Sequence, residues 1–363
     1  MKLLYITNGI NGSGGLERVL SVKASALADQ YGYKVHILVL NDSHLNPFYQ
    51  FSPAISFHSI SVNGNSLIYF QSYKKGIRSI VDKVKPDIIS VCDDGLKGFF
   101  APSLIKTNSK IIYERHVSKL IEIQSNQSWL KSLFSKLKWR IMENWAKKFD
   151  NFIVLTEGNK KEWPKLKNIE VIGNPLPFYP ENISDPKSKT VICVGKISYQ
   201  KGQDQLLEIW DRIYKKYPDW KLELYGKANE DFLKTDKLTG KNIFFYPPVK
   251  NIFEKYLESS IYVMPSRFEG FGMVLIEAMA CGLPCVSFNC NYGPSDIIKD
   301  GKDGFLIGNG NLSEFAEKLE LLISDNELRS KMGNTARQNV KRFAPDEILI
   351  QWNDLFHCLK NSE

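Results

Sequence analysis

The sequence predicts an α/β protein made of two doubly wound domains, each with a mostly parallel sheet, and three observations carry that expectation. Short β-branched and aromatic runs alternate with longer amphipathic stretches, the pattern of a parallel sheet covered by helices on both faces. The alternation breaks once, at PLPFYPENISDPKSK over 175–189, a polar segment holding four prolines. The chain of 363 residues is long for one core and comfortable for two. The expected divisions are a first domain over 1–175, a linker over 176–189, a second domain over 190–343 and a final helix over 344–363.

In the first domain KLLYIT, YKVHILVL, ISFHSISV, DIISVC, KIIYER and FIVLT read as strands, with helices over 15–30, 66–84 and 129–147. In the second, TVICVG, WKLELYG, IFFYP, IYVMP, PCVSF and GFLIG read as strands, followed by helical sequence over about 311–360. Two such domains leave a cleft, and ligands of doubly wound sheets bind outside the carboxyl ends of the strands. Function is therefore to be sought in the loops that follow these strands.

An apolar share of 43% with 24% charged residues is that of an ordinary globular protein and excludes a disordered chain. The net charge of +8 is unevenly spread, because residues 1–175 hold 24 Lys and Arg against 14 Asp and Glu. A basic first half suits an anionic partner such as nucleic acid, an anionic membrane or a phosphorylated acceptor, or merely aids solubility. Six cysteines form no C-x-x-C pair, and most sit in apolar runs. They read as buried reduced thiols, which implies a reducing compartment. MKLLYITNGI lacks the pattern of a secretory signal, and no run approaches about 20 apolar residues.

Three motifs carry chemistry. NGINGSGGLERV follows the first strand, and its glycines, among them Gly14 and Gly15, lead into a helix whose amides could meet a phosphate or a polar sugar. A tight packing turn is the alternative. VGKISYQKG follows strand TVICV, where Gly195 permits close approach and Lys196 and Lys201 place two cations suited to a diphosphate. Ordinary surface lysines are the alternative. The third, MPSRFEGFGMVLIEAMACGLP, is the most specific. Gly270, Phe271 and Gly272 shape a turn, and the first helical amides at Met273, Val274 and Leu275 are expected to face a ligand. Glu269 lies in the loop. Glu277 lies in an apolar helix where an unpaired carboxylate is costly, so it is expected to accept hydrogen bonds from ligand hydroxyls such as a ribose diol, or else a salt bridge from a neighbouring helix.

E-G-F-G-x-x-x-x-E, the preceding V-G-K-I-x-x-x-K-G and the N-terminal G-G-x-E-R-V together resemble the family-4 retaining glycosyltransferases of GT-B fold, bacterial surface-polysaccharide type. The likeness in order and spacing runs over nearly the whole chain, including NYGPSDII and DGKDGFLI. It implies an acceptor-binding first domain, a second domain that binds a nucleotide sugar, no metal or other cofactor, and a final helix that crosses back to the first domain. It further implies that Lys196 and Lys201 grip the donor diphosphate, Glu269 meets the transferred sugar and Glu277 the ribose. Phe271 and Gly272 would contact sugar and phosphate, Gly14 and Gly15 would close on the donor, and His116 in IIYERHVS would approach the donor sugar. Where the family usually has arginine this chain has Lys196, which keeps the charge and loses the forked geometry. The NYGPSDII segment, like that of bacterial polysaccharide enzymes, implies UDP as the nucleotide.

Asp93 with Asp94, and DGKDG over 300–304, read as loop turns rather than metal sites, neither having a full ligand set. In 129–148, Leu130, Leu133, Phe134, Leu137, Ile141 and Trp145 share one helical face, flanked by Lys131, Lys136, Lys138, Arg140, Lys147 and Lys148. That stripe reads as a core face, with an interfacial membrane helix as the alternative. The expectation is a cytoplasmic, metal-independent enzyme, peripheral at the inner membrane face, that moves a hexose or N-acetylhexosamine from a UDP-sugar to a glycan or lipid-linked glycan acceptor. A UDP-sugar epimerase of similar fold remains the alternative enzyme class. A basic nucleic-acid-binding protein is the other alternative, but no reader module is visible and no nucleic-acid partner is expected.

Overall fold

The computed structural model describes residues 1–93, 95–119, 129–227 and 241–362, with side chains from 135 onward in the helix that begins at 129. The chain forms two units, Met1–Pro175 with Pro345–Glu363, and Leu176–Ala344. In unit 1 the strands are β1 (Lys2–Ile6), β2 (Lys34–Leu40), β3 (Ser56–Ile60), β4 (Ile88–Val91), β5 (Lys110–Glu114), β6 (Asn151–Val154) and β7 (Ile169–Val171). Its helices are α1 (Gly15–Asp29), α2 (Ser66–Val84), α3 (Leu96–Phe99), α4 (Ala101–Leu104), α5 (Trp129–Ala146) and α6 (Glu157–Lys161). Unit 2 holds α7 (Gln203–Lys216), α8 (Ile252–Leu257), α9 (Met273–Ala280), α10 (Pro294–Ile297), α11 (Leu312–Ser324) and α12 (Asn326–Asn339). Its strands are β8 (Thr190–Val194), β9 (Lys221–Tyr225), β10 (Ile243–Tyr246), β11 (Ile261–Met264), β12 (Cys285–Phe288) and β13 (Gly304–Ile307). The last helix, α13 (Pro345–Asn361), belongs to unit 1.

Both sheets are parallel and doubly wound. The order is β3-β2-β1-β4-β5-β6-β7 in unit 1 and β10-β9-β8-β11-β12-β13 in unit 2. The direction of winding reverses between β1 and β4 in one sheet and between β8 and β11 in the other. Such reversals open a crevice at the carboxyl ends of the strands. β7, three residues long, pairs with β6 at the sheet edge and has no counterpart among the strands read from sequence.

Unit 1 closes its core with aromatic rings from several elements. Phe99 lies 4.4 Å from Tyr113, Tyr113 stacks on Phe152 at 5.0 Å, and Phe152 packs on Trp163 at 4.6 Å. The helix α13 docks on α1 through buried Trp352 and Phe356, and the Tyr33 hydroxyl donates to Asn353 Oδ1 at 2.6 Å. In unit 2 Trp210 is buried, and its indole donates to the Lys241 carbonyl at 2.8 Å.

The helix α5 buries Met142 and Ala146, with Trp139 and Trp145 partly covered against the same core. Leu137 is 54% exposed and so does not share the buried face expected for it. The register of burial is set by the two tryptophans and Met142. Leu130, Lys131, Leu133 and Phe134 of the expected stripe and its basic flank lie outside the described side chains. No described helix is long and apolar enough to cross a membrane. Five cysteines are buried as thiols outside any disulfide, whereas Cys358 is exposed on α13.

Residues 176–189, read from sequence as a linker, are tied into unit 2. The Ser184 amide donates to the Cys281 carbonyl at 2.8 Å, and Arg329 Nε to the Pro186 carbonyl at 2.9 Å. The Arg337 guanidinium donates to the carbonyls of Ala280 and Pro180 and lies 4.0 Å from the Tyr179 ring centroid. The prolines remove local amide donors, so this segment is held by side chains from α12 that reach its carbonyls. Replacing Arg337 by Met leaves two carbonyls without that donor and is expected to cost about 1–2 kcal/mol. Urea titration of the purified protein checks this, the expected result being a lower midpoint with an unchanged slope.

Candidate active site

The reversal between β8 and β11 brings the second and third motifs together. Lys201, in the loop after β8, donates from Nζ to both oxygens of Glu269, at 2.7 and 2.9 Å. Glu269, in the loop after β11, is 6% exposed. Its amide donates to the Asn291 carbonyl at 3.2 Å, and its carbonyl accepts from the Tyr292 amide at 3.1 Å, so the loop after β12 braces it. Arg267 forks onto both oxygens of Asp204 at 2.8 and 2.6 Å and stacks 4.0 Å from the Tyr199 ring centroid. Forked, stacked guanidinium contacts of this kind are stiff. The strand-end loops are thereby locked around the Lys201–Glu269 pair.

Two glycines make this geometry possible. Gly202, at the start of α7, has φ of +67°, and a Cβ there would stand 2.0 Å from the Pro265 carbonyl oxygen. Gly272 caps α9 with φ of +98°, a left-handed conformation that glycine adopts without strain. Of the amides expected to face a ligand, that of Leu275 donates instead to the Gly272 carbonyl at 2.9 Å. Phe271 is buried and meets Phe343 edge-on at 5.4 Å, which fixes the turn at Gly270–Gly272. On α9, Glu277 is 5% exposed and accepts from the Tyr256 hydroxyl at 3.3 Å.

Lys196 is exposed, while its carbonyl accepts from Gln203 Nε2 at 3.2 Å and the Gly195 amide donates to Tyr225. Burial pushes the Cys193 thiol up to about 12, helped by Glu269 and opposed by Lys201. No thiolate nucleophile is therefore offered beside the pair at neutral pH. The chemistry available is a paired cation and carboxylate, a helix N-terminus and a second carboxylate on that helix.

Unit 1 has its own crevice at the reversal between β1 and β4. A cavity of about 650 Å³ is lined there by Asn8, Gly9, Glu17, Asp93 and Lys97, among others. Asn8 Nδ2 donates to Asp93 Oδ1 at 3.1 Å, and Lys97 Nζ donates to Asn8 Oδ1 at 2.5 Å and to the Tyr69 hydroxyl at 2.9 Å. Gly14 and Gly15 stand at the start of α1, Gly14 as its cap in extended conformation. Burial pushes the Glu17 carboxyl of the first turn above its ordinary range. Asp93 Oδ1 also accepts from the Gly95 amide at 2.8 Å, the turn anticipated for it, and Asp94 lies outside the described residues. The 300–304 segment is likewise a turn, with Asp303 accepting from the Lys299 amide at 2.7 Å.

His116 follows β5, with Nε2 3.3 Å from Glu114 Oε2. Burial alone would raise the Glu114 carboxyl, but Lys23 and His116 hold it at about 2. Cys92, Glu114 and His116 place ligand-type atoms within 4.8 Å of one another. The carboxylate of that trio already receives Lys23 Nζ and the Ser90 hydroxyl, so a metal ion there would face an ammonium. These residues suit an ion-pair network rather than a cation site. Asn8, Lys97, Lys23 and Glu114 were not singled out from sequence, since Asn8 meets Asp93 and Lys97 across more than 80 positions and Lys23 meets Glu114 across 91.

Two parallel, doubly wound units with a cation and two carboxylates at the crevice of the second define a glycosyltransferase of GT-B type. The pattern for "Glycosyltransferase Family 4" matches residues 13–177, and that for "Glycosyl transferases group 1" matches residues 179–339. The chain belongs to the family-4 glycosyltransferases. It is 31% identical to an uncharacterized glycosyltransferase of Haemophilus influenzae, over 98% of this chain and 99% of that protein. It is 32% identical to the amylovoran biosynthesis glycosyltransferase AmsD of Erwinia amylovora, again over 98% and 99%. The crystal structure of Anabaena HepE in complex with UDP-glucose shares the fold, with a TM-score of 0.77 at 18% identity over 99% of this chain and 100% of that one.

If the Lys201 charge stabilises a leaving group, Lys201→Ala lowers glycosyl transfer on the order of 10²-fold or more. Initial rates, read beside the circular dichroism of the same sample, check this. Near-normal turnover in a folded variant would remove Lys201 from the site.

Proposed function

We propose that the protein is a retaining, metal-independent glycosyltransferase that moves a hexose or N-acetylhexosamine from a UDP-sugar to an acceptor hydroxyl in polysaccharide or lipid-linked oligosaccharide assembly. The observation that carries this reading is the Lys201–Glu269 pair beside the N-terminus of α9, with Glu277 four residues into that helix. Lys201 and exposed Lys196 meet the diphosphate, and the Met273 and Val274 amides add the positive end of the helix dipole. As negative charge grows on the departing diphosphate, these fixed donors stabilise it without reorganising. Glu269 takes hydroxyls of the transferred sugar, and Glu277 takes the ribose diol.

Retention is accounted for by attack from the same face as departure, the leaving phosphate oxygen accepting the acceptor proton. Glu269 is committed to Lys201 by two hydrogen bonds, which argues against a free carboxylate nucleophile of the glycosidase kind. UDP as the nucleotide is supported by the complex of HepE with UDP-glucose, and the pathway by the relation to AmsD. Unit 1 takes the acceptor, its polar cavity at the β1–β4 reversal suiting a polyhydroxylated group. His116 approaches the donor sugar, and Gly14 and Gly15 close on the donor. The basic first 175 residues, with Lys136 and Arg140 exposed on α5 and Lys147 and Lys148 exposed just beyond it, favour peripheral contact with an anionic membrane from the cytoplasm.

Calorimetric UDP affinity and turnover separate the two carboxylates. Glu277→Gln weakens UDP by about 1.5–3 kcal/mol, the range for a charged hydrogen bond, and lowers transfer with it. Glu269→Gln leaves UDP binding nearly intact and depresses transfer. Equal weakening of UDP by both variants sinks this division of roles. Because lysines and amides supply the positive charge, activity persists in excess EDTA. Complete loss, restored by Mn²⁺ or Mg²⁺, overturns the metal-independent reading.

A further inference from the structure

Among the described residues the large apolar side chain most open to water is Leu67, 77% exposed in the first turn of α2. Ile68 at 52% and Phe70 at 40% stand beside it. The core has no place for Leu67 and Ile68, because the inward stripe of α2 is Tyr73, Ile77, Val81 and Val84, and both fall outside it. Apolar groups exposed this close together mark a contact surface, which scattered ones do not.

The start of the helix is also prepared to leave water. Asn65 Oδ1 accepts from the Leu67 and Ile68 amides at 3.2 and 3.0 Å, and the Asn65 carbonyl accepts from the Tyr69 amide at 2.8 Å. A capped terminus avoids much of the desolvation cost that unpaired donors impose. Behind the apolar turn the exposed side becomes basic. Lys74 and Lys75 follow Leu67 and Ile68 two turns later, about 10 Å along the axis. With Arg78 they border an open groove of about 500 Å³, shared with Gln71, Ser79 and Asp82. Lys74 and Lys75 make no ion pair among the described residues, and α2 sets Lys74, Lys75, Arg78 and Lys83 against Asp82 alone. Apolar groups that reach the acyl boundary, with cations at the depth of the lipid phosphates, are the pattern of an interfacial element.

Its place in the fold suits a substrate carried by lipid. α2 follows β3 and so starts at the carboxyl end of the sheet, where the unit 1 crevice opens. The Tyr69 hydroxyl of the same turn accepts from Lys97 Nζ, and Lys97 lines that cavity. The loop after β2, tied to Val62 by two hydrogen bonds from Asn41, adds exposed Leu45 at the same end.

We propose that the first turn of α2 is the element by which unit 1 enters an anionic membrane. Leu67, Ile68 and Phe70 pass into the acyl boundary, and Lys74, Lys75 and Arg78 meet lipid phosphates. This rests on the reading of the protein as peripheral to an anionic membrane, and it adds the point and the depth of contact. Docked in this way, the unit 1 cavity stands next to the plane from which a lipid-linked acceptor is offered.

The test uses the full-length protein and co-sedimentation with vesicles of phosphatidylglycerol and phosphatidylcholine, beside vesicles of phosphatidylcholine alone. Leu67→Ser with Ile68→Ser is expected to lower partition into the anionic vesicles on the order of tenfold or more, and this loss persists in raised salt. Lys74→Gln with Lys75→Gln is expected to lower it on the order of tenfold at low salt, and that loss shrinks as salt screens the charge. Both pairs lie on the surface of α2, so circular dichroism and UDP affinity stay those of the parent protein. With Cys358→Ser as background, a nitrobenzoxadiazole probe on Leu67→Cys brightens and shifts to the blue on anionic vesicles, and the same probe on Lys75→Cys does so less. Undiminished binding by the Leu67→Ser, Ile68→Ser variant overturns the proposal while the peripheral reading stands. Self-association of the parent that this variant abolishes, with no loss of vesicle binding, assigns the turn to a second copy and overturns it as well. If the parent ignores anionic vesicles altogether, the peripheral reading falls and the proposal with it.

Discussion

The architecture depends on keeping charge fixed at places where the winding of a sheet reverses. A carboxylate such as Glu269, nearly shut off from water, persists only with a partner, and Lys201 reaches it from a different strand-end loop. That single pair dictates much around it. The loop after β8 must pass against the Pro265 carbonyl, which admits only glycine at 202. The loop after β12 must donate and accept for the Glu269 backbone. Arg267 and Asp204 hold the β11 loop onto α7. When a ligand's negative groups enter, Lys201 can share its three donors without leaving Glu269 unpaired.

Unit 1 solves a related problem differently. Its charged groups are deeper, and the rings of Tyr5 and Trp352 replace water around the Lys23 nitrogen. An aromatic face is attracted to a cation without competing for its hydrogen bonds. The ammonium therefore keeps its donors for Glu114. The shallower crevice nearby, with Asn8, Asp93 and Lys97, has polar groups that satisfy one another yet border open space. The two crevices thus differ in kind, one built around a single dominant ion pair, the other around a mesh of neutral and charged groups.

Much of this was legible in the sequence where the signal is local. The run 66–84 reads as a helix because its periodicity holds throughout, and the helix is found over Ser66–Val84. The start of α9 at Met273 was legible because glycine turns and an apolar run meet there. Signals failed where the cause is distant. β7 has too few residues to show a period and exists because β6 offers an edge. The buried face of α5 is chosen by the core it meets, so Leu137 falls outside even though spacing groups it with Trp145. Prolines marked the division near 175, but not that arginines of α12 would fasten the segment beyond it. Lys201 and Glu269 were each expected to meet a ligand, while their pairing, across 68 positions, has no trace in local pattern. Lys23 and Glu114, 91 positions apart, show none either.

That α13 belongs to unit 1 makes unit 2 an insertion within it. During synthesis unit 2 is a continuous stretch that can finish its core as soon as Ala344 has left the ribosome. Unit 1, though begun before unit 2, waits for α13, and until Trp352 arrives Lys23 lacks one of the two rings that cover it. Domains generally fold as units in the order they emerge, and here the unit that begins earlier is not the one whose sequence is complete earlier. The half of the fold begun before the other therefore lacks one helix until the half that interrupts it has been made.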